Sequence, residues 1–382
     1  MIEADILVLG GGIAGASVAG HLAAERSVVL LEREEQPGYH ASGRSAALFS
    51  EAYGNAIVRA LSVASRPFLE KPPGGFAEHP LLEPRGALHV GTRGHEEQLA
   101  QLAAEAHALV PSVRPVEAAD ALAMVPVLRA DWVVGGVLEP EARDIDTNAL
   151  LHGFLRVLRA GGGRIVTDAD VTAIGRGGRG WVVETRAGPA SAEIIVNAAG
   201  AWADEIAALA GLAPLGLTPK RRTAFLFEPP AGVEIRDWPL VIGADEDFYF
   251  KPDAGMILGS PADETPSAPT DAQPEELDIA LAVDRIQTVT DLTVRRLLRR
   301  WAGLRTFAPD KTPVAGFDPA ADGFFWLAGQ GGYGFQTAPA LGWTAAQLLL
   351  RDAVPAAIED YGVTAAALAP ARLRPQAQEV QG

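Results

Sequence analysis

The run Gly10-Gly11-Gly12-Ile13-Ala14-Gly15, set between the apolar runs Ile6–Leu9 and Val28–Leu31, constrains this chain more than any other feature. A short, unbroken apolar run reads as a central parallel strand covered on both faces. Between the two runs, Ala14, Val18 and Leu22 recur at helical spacing. Two parallel strands joined by one helix form a right-handed βαβ unit. The glycines fit G-x-G-x-x-G. Gly10 permits the tight turn, Gly12 lets the backbone approach a pyrophosphate, and Gly15 lets the helix pack close to the strand. The helix N-terminus offers free N–H groups and a positive dipole end to a phosphate. Glu32, 22 residues after Gly10, ends the second run. From there its carboxylate can accept hydrogen bonds from a ribose diol. It would repel a 2′-phosphate, which disfavours NADP and leaves FAD and NAD open. An ordinary glycine-rich turn is the plainer alternative; the flanking strands and the acid at this distance count against it.

At 382 residues the chain is long enough for about two domains. A net charge of −16 argues against a nucleic-acid partner, which needs a basic stripe, and against attraction to an anionic membrane surface. With no cysteine, disulfides, thiolate metal sites and cofactor attachment through sulfur are excluded. Residues 1–5 carry Glu3 and Asp5 rather than a basic leader, and no apolar run of about 18 residues follows. The start therefore reads as a buried strand, and cytoplasmic is the expected location.

Further along, 86–91 reads as a strand, 94–107 as a helix, and 147–160 as an amphipathic helix ended by Gly161-Gly162-Gly163. Strands and turns alternate over 164–200, ending in Ile194-Ile195-Val196. Residues 217–262 are strand-rich and 275–294 helical. Phe324–Ala328 reads as a buried strand leading through Gly329–Gly334 into a helix from about 335 to 351. The proline-rich stretches 229–238 and 261–274 read as surface loops, and the polar tail beyond Arg372 as frayed. No internal repeat is evident.

Several runs carry a resemblance: Glu32-Arg33-Glu34, Gln36-Pro37-Gly38-Tyr39-His40, Asp144-Ile145-Asp146-Thr147, Val196-Asn197-Ala198-Ala199-Gly200-Ala201-Trp202, Pro219-Lys220-Arg221-Arg222, Lys251-Pro252-Asp253-Ala254-Gly255-Met256, Trp301-Ala302-Gly303-Leu304-Arg305 and Gln330-Gly331-Gly332-Tyr333-Gly334. In these and in the 41–48 segment, over nearly its whole length, the chain resembles the D-amino-acid oxidase family, and within it most closely the bacterial D-arginine dehydrogenases. The resemblance implies a two-domain α/β (α+β) fold. Its Rossmann-type FAD-binding domain would comprise 1–84, 143–202 and 304–382. A discontinuous substrate-binding domain, 85–142 and 203–303, would be built on a mixed or antiparallel sheet. It also implies a noncovalent FAD, contacted by Gly10, Gly12, Ala14, Gly15, Glu32, Arg33, Ala41, Ser42, Gly43, Arg44, Ser45, Ala46, Ala47, Leu48, Gly200, and Val171 beside the adenine. Gly331, Gly332, Tyr333, Gly334, Phe335, Gln336 and Thr337 would lie at the pyrimidine end of the ring. Read from the residues alone, a glycine turn opening a helix there would stabilise negative charge on reduced flavin; a purely structural turn is the alternative.

An α-amino acid presents a carboxylate, and a guanidinium fork meets a carboxylate with two parallel hydrogen bonds. Arg222 precedes the apolar run Thr223-Ala224-Phe225-Leu226, and Arg305 follows Trp301-Ala302-Gly303-Leu304. An arginine in an apolar strand needs an anion. The plainer readings are a solvated end of the Lys220-Arg221 run for Arg222 and an internal salt bridge for Arg305. By resemblance, Arg222 and Arg305 hold the substrate carboxylate, Tyr53 and Tyr249 hydrogen-bond the substrate, and the Gly332 carbonyl accepts from its amine. Leu48, Ser50 and Ala87 would line the side-chain pocket. A tyrosine that merely packs is the common alternative. The implied reaction is hydride transfer from Cα to flavin N5, giving an imino acid that water hydrolyses, with no side-chain base required if the amine is neutral. A quinone or O2 would serve as electron acceptor.

The sequence departs from the D-arginine dehydrogenases at two positions. The glutamate that reads the cationic side chain is Ala87 here, and an active-site histidine is Leu48. A desolvated cation without its carboxylate is costly, so a neutral, apolar D-amino acid is the expected substrate. Glu51 or Asp247 could restore cation binding. The alternatives are a glycine- or sarcosine-type amine oxidase, an NAD-dependent dehydrogenase and a non-catalytic flavin-binding protein.

Overall fold

The strands that flank the glycine turn sit at the centre of a six-stranded sheet. In this computed structural model, which describes residues 1–178 and 180–374, the sheet order is Arg164–Val166, Val28–Leu31, Ile6–Leu9, Ile194–Asn197, Phe324–Ala328, Val314–Phe317. The first five strands are parallel and the last is antiparallel. Unbroken apolar sequence makes this possible, because both faces are buried. Ile6, Val8, Leu30 and Val196 join one core cluster; Leu7, Leu9, Val29 and Ile195 join another. Helices Ile13–Leu22, Thr147–Ala160 and Gly334–Arg351 cover the first face. The second is covered by a four-stranded sheet containing Val171–Gly177 and Gly180–Thr185 and by helix Ala203–Leu209. Register aligns Leu9 with Leu31 and with Asn197. The chain therefore leaves these strands at one edge, the carboxyl end where parallel sheets bind ligands.

An eight-stranded sheet runs in the order Leu297–Phe307, Thr218–Phe227, Met256–Ser260, Tyr249–Asp253, Leu240–Gly243, Ala87–Thr92, Val133–Glu139, Arg114–Glu117. Only the Leu240–Gly243 and Ala87–Thr92 pair is parallel. Side chains alternate across a strand. Phe225, Phe227, Phe250, Ile257 and Leu138 face a core closed by helix Glu276–Val289. Cross-strand partners put Arg222, Gly303, Arg305, Tyr249, Ala87 and Glu139 on the opposite face. A small sheet of Leu48–Phe49, Arg143–Ile145 and Leu82–Pro84 completes the mixed α/β fold.

The amphipathic helix at 147–160 and the strands at 6–9, 28–31 and 324–328 form as their patterns predict. Helix Ala56–Glu70 has no counterpart in the sequence reading. Ser62 and Ser65 sit on its fully buried face, where apolar residues would be expected, and Pro67 lies inside it. The two hydroxyls turn back to the carbonyls of Val58 and Leu61. They also accept from the Gln336 side chain and the Ala340 N–H, so the polar face is a tertiary contact. Among the described residues, no helix is long and apolar enough to cross a membrane. The tail expected to fray beyond Arg372 stays ordered over Leu373, in a 3-10 turn, and Arg374, which pairs with Asp318; the rest of it lies outside the described residues.

Helices Ile13–Leu22 and Gly334–Arg351 cross where a Cβ on Gly342 would sit 2.6 Å from Ser17 Oγ. Gly342→Val should push the helices apart and cost about 1–3 kcal/mol. Thermal unfolding would show a lowered Tm, and an unchanged Tm would contradict this account of the packing.

Candidate active site

The chain turns at the carboxyl edge of the six-stranded sheet form one wall of a groove of about 430 Å³. Gly10 has φ of +108°, and a Cβ there would lie 2.5 Å from the Ala198 carbonyl oxygen. A Cβ on Gly15 would lie 1.9 Å from the Gly10 carbonyl oxygen. Both positions require glycine, one for the turn and one for the close approach of helix to strand. Gly12 is less crowded: its Cβ would meet only Ser42 Oγ, at 3.2 Å. That hydroxyl accepts from the Ile13 N–H, which ties the 41–44 segment to the helix start.

Glu32 is buried and lines the groove. Its two oxygens accept from the Gly11 N–H at 2.7 Å and the Glu34 N–H at 2.9 Å. Burial pushes its pKa above the usual carboxylate range, and the backbone donors partly offset this. The acid therefore organises the glycine turn as well as facing the groove. Beside it, the Arg33 guanidinium lies 4.6 Å from the Trp202 ring centroid and 3.4 Å from Asp170.

The opposite end of the groove is cationic. Arg222 and Arg305 line it together with Tyr249 and Gly332. Arg222 donates from Nε to the Asp263 carbonyl at 2.9 Å and lies 3.3 Å from Glu264. Burial, and next the charge of Arg305, lower its pKa. Arg305 forms no ion pair with any described residue. Burial opposes its charge, but Tyr53, Tyr249 and Glu264 outweigh burial and raise its pKa. A Cβ on Gly332 would meet Arg305 Nη1 at 3.1 Å and the Tyr53 hydroxyl at 3.3 Å, so the bare glycine backbone lies against both. Two adjacent, partly buried guanidinium groups with too few anions make an anion-binding end.

Of the residues singled out from sequence, the groove gathers Gly10, Gly12, Ala14, Glu32, Arg33, Ala41, Ser42, Arg44 to Leu48, Val171, Gly200, Arg222, Tyr249, Arg305, Gly331, Gly332, Gly334, Phe335 and Gln336. Seven are not part of its lining. Gly15 and Gly43 pack against the backbone of Gly10 and Gly38. Thr337 donates to the Tyr333 carbonyl. Tyr333 stacks edge-on with Tyr53, centroids 5.0 Å apart, and burial pushes its hydroxyl up to about 12. Ser50 and Ala87 are buried; the Ser50 hydroxyl is taken by Glu139, and Ala87 is held between Leu240 and Glu139 in the sheet. Glu51 pairs with Arg66 at 3.1 Å and Asp247 with Arg285 at 3.0 Å, so both carboxylates are engaged. Trp202, His40 and Asp170 line the groove but were not assigned a site role; His40 and Trp202 end two of the runs that carry the resemblance, and Asp170 gave no signal.

The family model for FAD-dependent oxidoreductases of the D-amino-acid oxidase type matches residues 5–348. Glycine oxidase of Geobacillus kaustophilus is 23% identical over 372 residues, 94% of this chain and 96% of its own. Glycerol-3-phosphate dehydrogenase 1 of Mycobacterium tuberculosis is 26% identical over 335 residues, 79% of this chain and 62% of its own length. The crystal structure of the Geobacillus glycine oxidase aligns with a TM-score of 0.81, covering 92% of this chain and 95% of that one at 22% identity. L-proline dehydrogenase from P. horikoshii aligns with a TM-score of 0.80 over 97% and 98% of the two chains at 20% identity.

Glu32→Ala removes the acceptor for two N–H groups beside the glycine turn. It should weaken FAD binding by roughly 10- to 100-fold, the scale of one or two hydrogen bonds to a charged group. Flavin titration of the apoprotein would read this, and an unchanged Kd would show that Glu32 serves only the turn.

Proposed function

The chain belongs to the D-amino-acid oxidase family of FAD-dependent oxidoreductases, and on that premise we propose that it oxidises the amine-bearing carbon of a D-amino acid with a neutral, apolar side chain. FAD is the cofactor, and the groove suits it. Glycine turns let a diphosphate approach backbone N–H groups at a helix N-terminus, and a buried acid stands where a ribose would lie. In this reading the FAD-binding unit comprises 1–84, 143–202 and 304–382, and the substrate-binding unit 85–142 and 203–303. When bound, FAD supplies the two-electron acceptor for a hydride leaving Cα.

The observation that carries the proposal is Arg305, a guanidinium without an ion pair among the described residues, beside Arg222 in the same groove. In this reading the pair grips the substrate carboxylate, and Tyr53 and Tyr249 donate to it. The Gly332 carbonyl accepts from the amine and fixes which face of Cα is presented. Of the carboxylates and histidine that line the groove, Glu32, Asp170 and His40 belong with the glycine turn and Trp202, and Glu205 sits on helix Ala203–Leu209. The chain's contribution is then positioning and charge compensation rather than proton abstraction. Engaged Glu51 and Asp247, together with Leu48 in the lining, favour a neutral side chain over a cationic one. A second reading, oxidation of glycine or an N-methylated glycine, is favoured by the glycine oxidase similarity over nearly the full chain.

Arg305→Met should lower kcat/KM by roughly a hundredfold or more, as for loss of one partner of a buried charge pair, while FAD absorbance is retained. Loss of flavin from this variant would move Arg305 from the substrate to the cofactor. Assays with an artificial electron acceptor, run beside peroxide detection, should rank D-Leu, D-Met or D-Phe above D-Arg and above their L-enantiomers. A dominant D-Arg activity would overturn the neutral preference, and a dominant glycine or sarcosine activity would establish the second reading.

A further inference from the structure

Glu139 ends strand Val133–Glu139 on the groove-facing side of the eight-stranded sheet and is 7% exposed. A buried carboxylate normally meets a cation. Glu139 forms no ion pair with any described residue. Its Oε2 instead accepts from the Ser50 hydroxyl at 2.7 Å. Burial pushes its pKa up, while the Ser50 hydroxyl and then the backbone of Ala52 and Glu51 pull it back.

The segment it holds is irregular and leads directly into Tyr53. That side chain is 39% exposed, yet its ring lies on Tyr333 and its hydroxyl approaches Arg305 and Gly332. Tyr53 follows this segment directly in the chain, so its backbone position depends on where residues 50–52 are held. The Ser50 N–H is also tied, to Gln336 Oε1 at 3.2 Å. Ala87 stands directly opposite Glu139 in the sheet. Facing side chains on one sheet face are near neighbours. A small residue at 87 leaves Glu139 room to reach over to Ser50, and a second carboxylate there would repel it.

We infer that Glu139 is a positioning residue, which acts through Ser50 to fix the 50–52 segment and so hold Tyr53 over the arginine end of the groove. The inference rests on the proposed role of Tyr53 toward substrate. It also gives Ala87 a purpose: the small side chain serves the neighbouring acid rather than the substrate.

The test is a double-mutant cycle in the FAD-loaded enzyme, using a D-amino acid that the enzyme turns over and reading KM and kcat. Glu139→Ala should raise KM about tenfold, with kcat changing far less and flavin content unchanged. Glu139→Gln, which keeps an acceptor oxygen, should recover to within about threefold of the parent KM. In a Tyr53→Phe background, Glu139→Ala should change KM less than about twofold. A tenfold rise that persists in that background would overturn the inference and leave the role of Tyr53 intact. An unchanged KM in Tyr53→Phe itself would remove Tyr53 from the site and the inference with it, without touching Arg305. Should Glu139→Ala not fold, Ser50→Ala takes its place in the cycle with the same expectations.

Discussion

The approach of Gly15 to the carbonyl of Gly10 is the contact on which the rest is built. At 1.9 Å from that oxygen to where a Cβ would stand, no other residue fits at position 15. The first helix is thereby seated on the end of its strand, and its N-terminus looks along the carboxyl edge of the sheet. The close crossing at Ser17 and Gly342 then seats helix Gly334–Arg351 beside it, so that a second helix begins at the same edge. Two converging helix starts make one side of the groove favourable to negative charge.

The other side is made by a different sheet through strand register. Arg222 and Gly303 are cross-strand partners, as are Lys220 and Arg305, so alternation delivers both guanidinium groups to the face turned toward the glycine turns. The chain is strongly acidic overall, yet this end of the groove is short of anions among the described residues. Arg221, one residue away on the strand, points to the other face, where Glu275 and Asp278 neutralise it. One residue of register thus separates a structural arginine from a site arginine.

The carboxylates near the site have distinct duties. Glu32 braces the glycine turn, Asp263 accepts from Thr223 and pairs with Arg221, Glu264 pairs with Arg222, and Glu139 braces the segment before Tyr53. Each is occupied by groups of the protein itself. The groove therefore offers a cationic anchor and no free acid at its arginine end, a polarity suited to a substrate that carries its own carboxylate.

Local sequence determined what depends on neighbours along the chain. The central strands, the glycine turn, Glu32 and the helix at 147–160 are written in runs and periodicities of a few residues, because burial on both faces and backbone conformation at glycine act locally. The same patterning flagged Arg222 and Arg305 as charges in apolar strands. What sequence could not reveal depends on partners far away in the chain. Helix Ala56–Glu70 buries serines because Gln336 and Ala340 wait for them. Ser50 and Ala87 stand behind the groove because Glu139 occupies the face between them. Glu51 and Asp247 are unavailable because Arg66 and Arg285 reach them first. Hydrogen bonds and ion pairs between distant segments leave no periodic trace, so only the tertiary structure decided which polar groups were free to face a ligand.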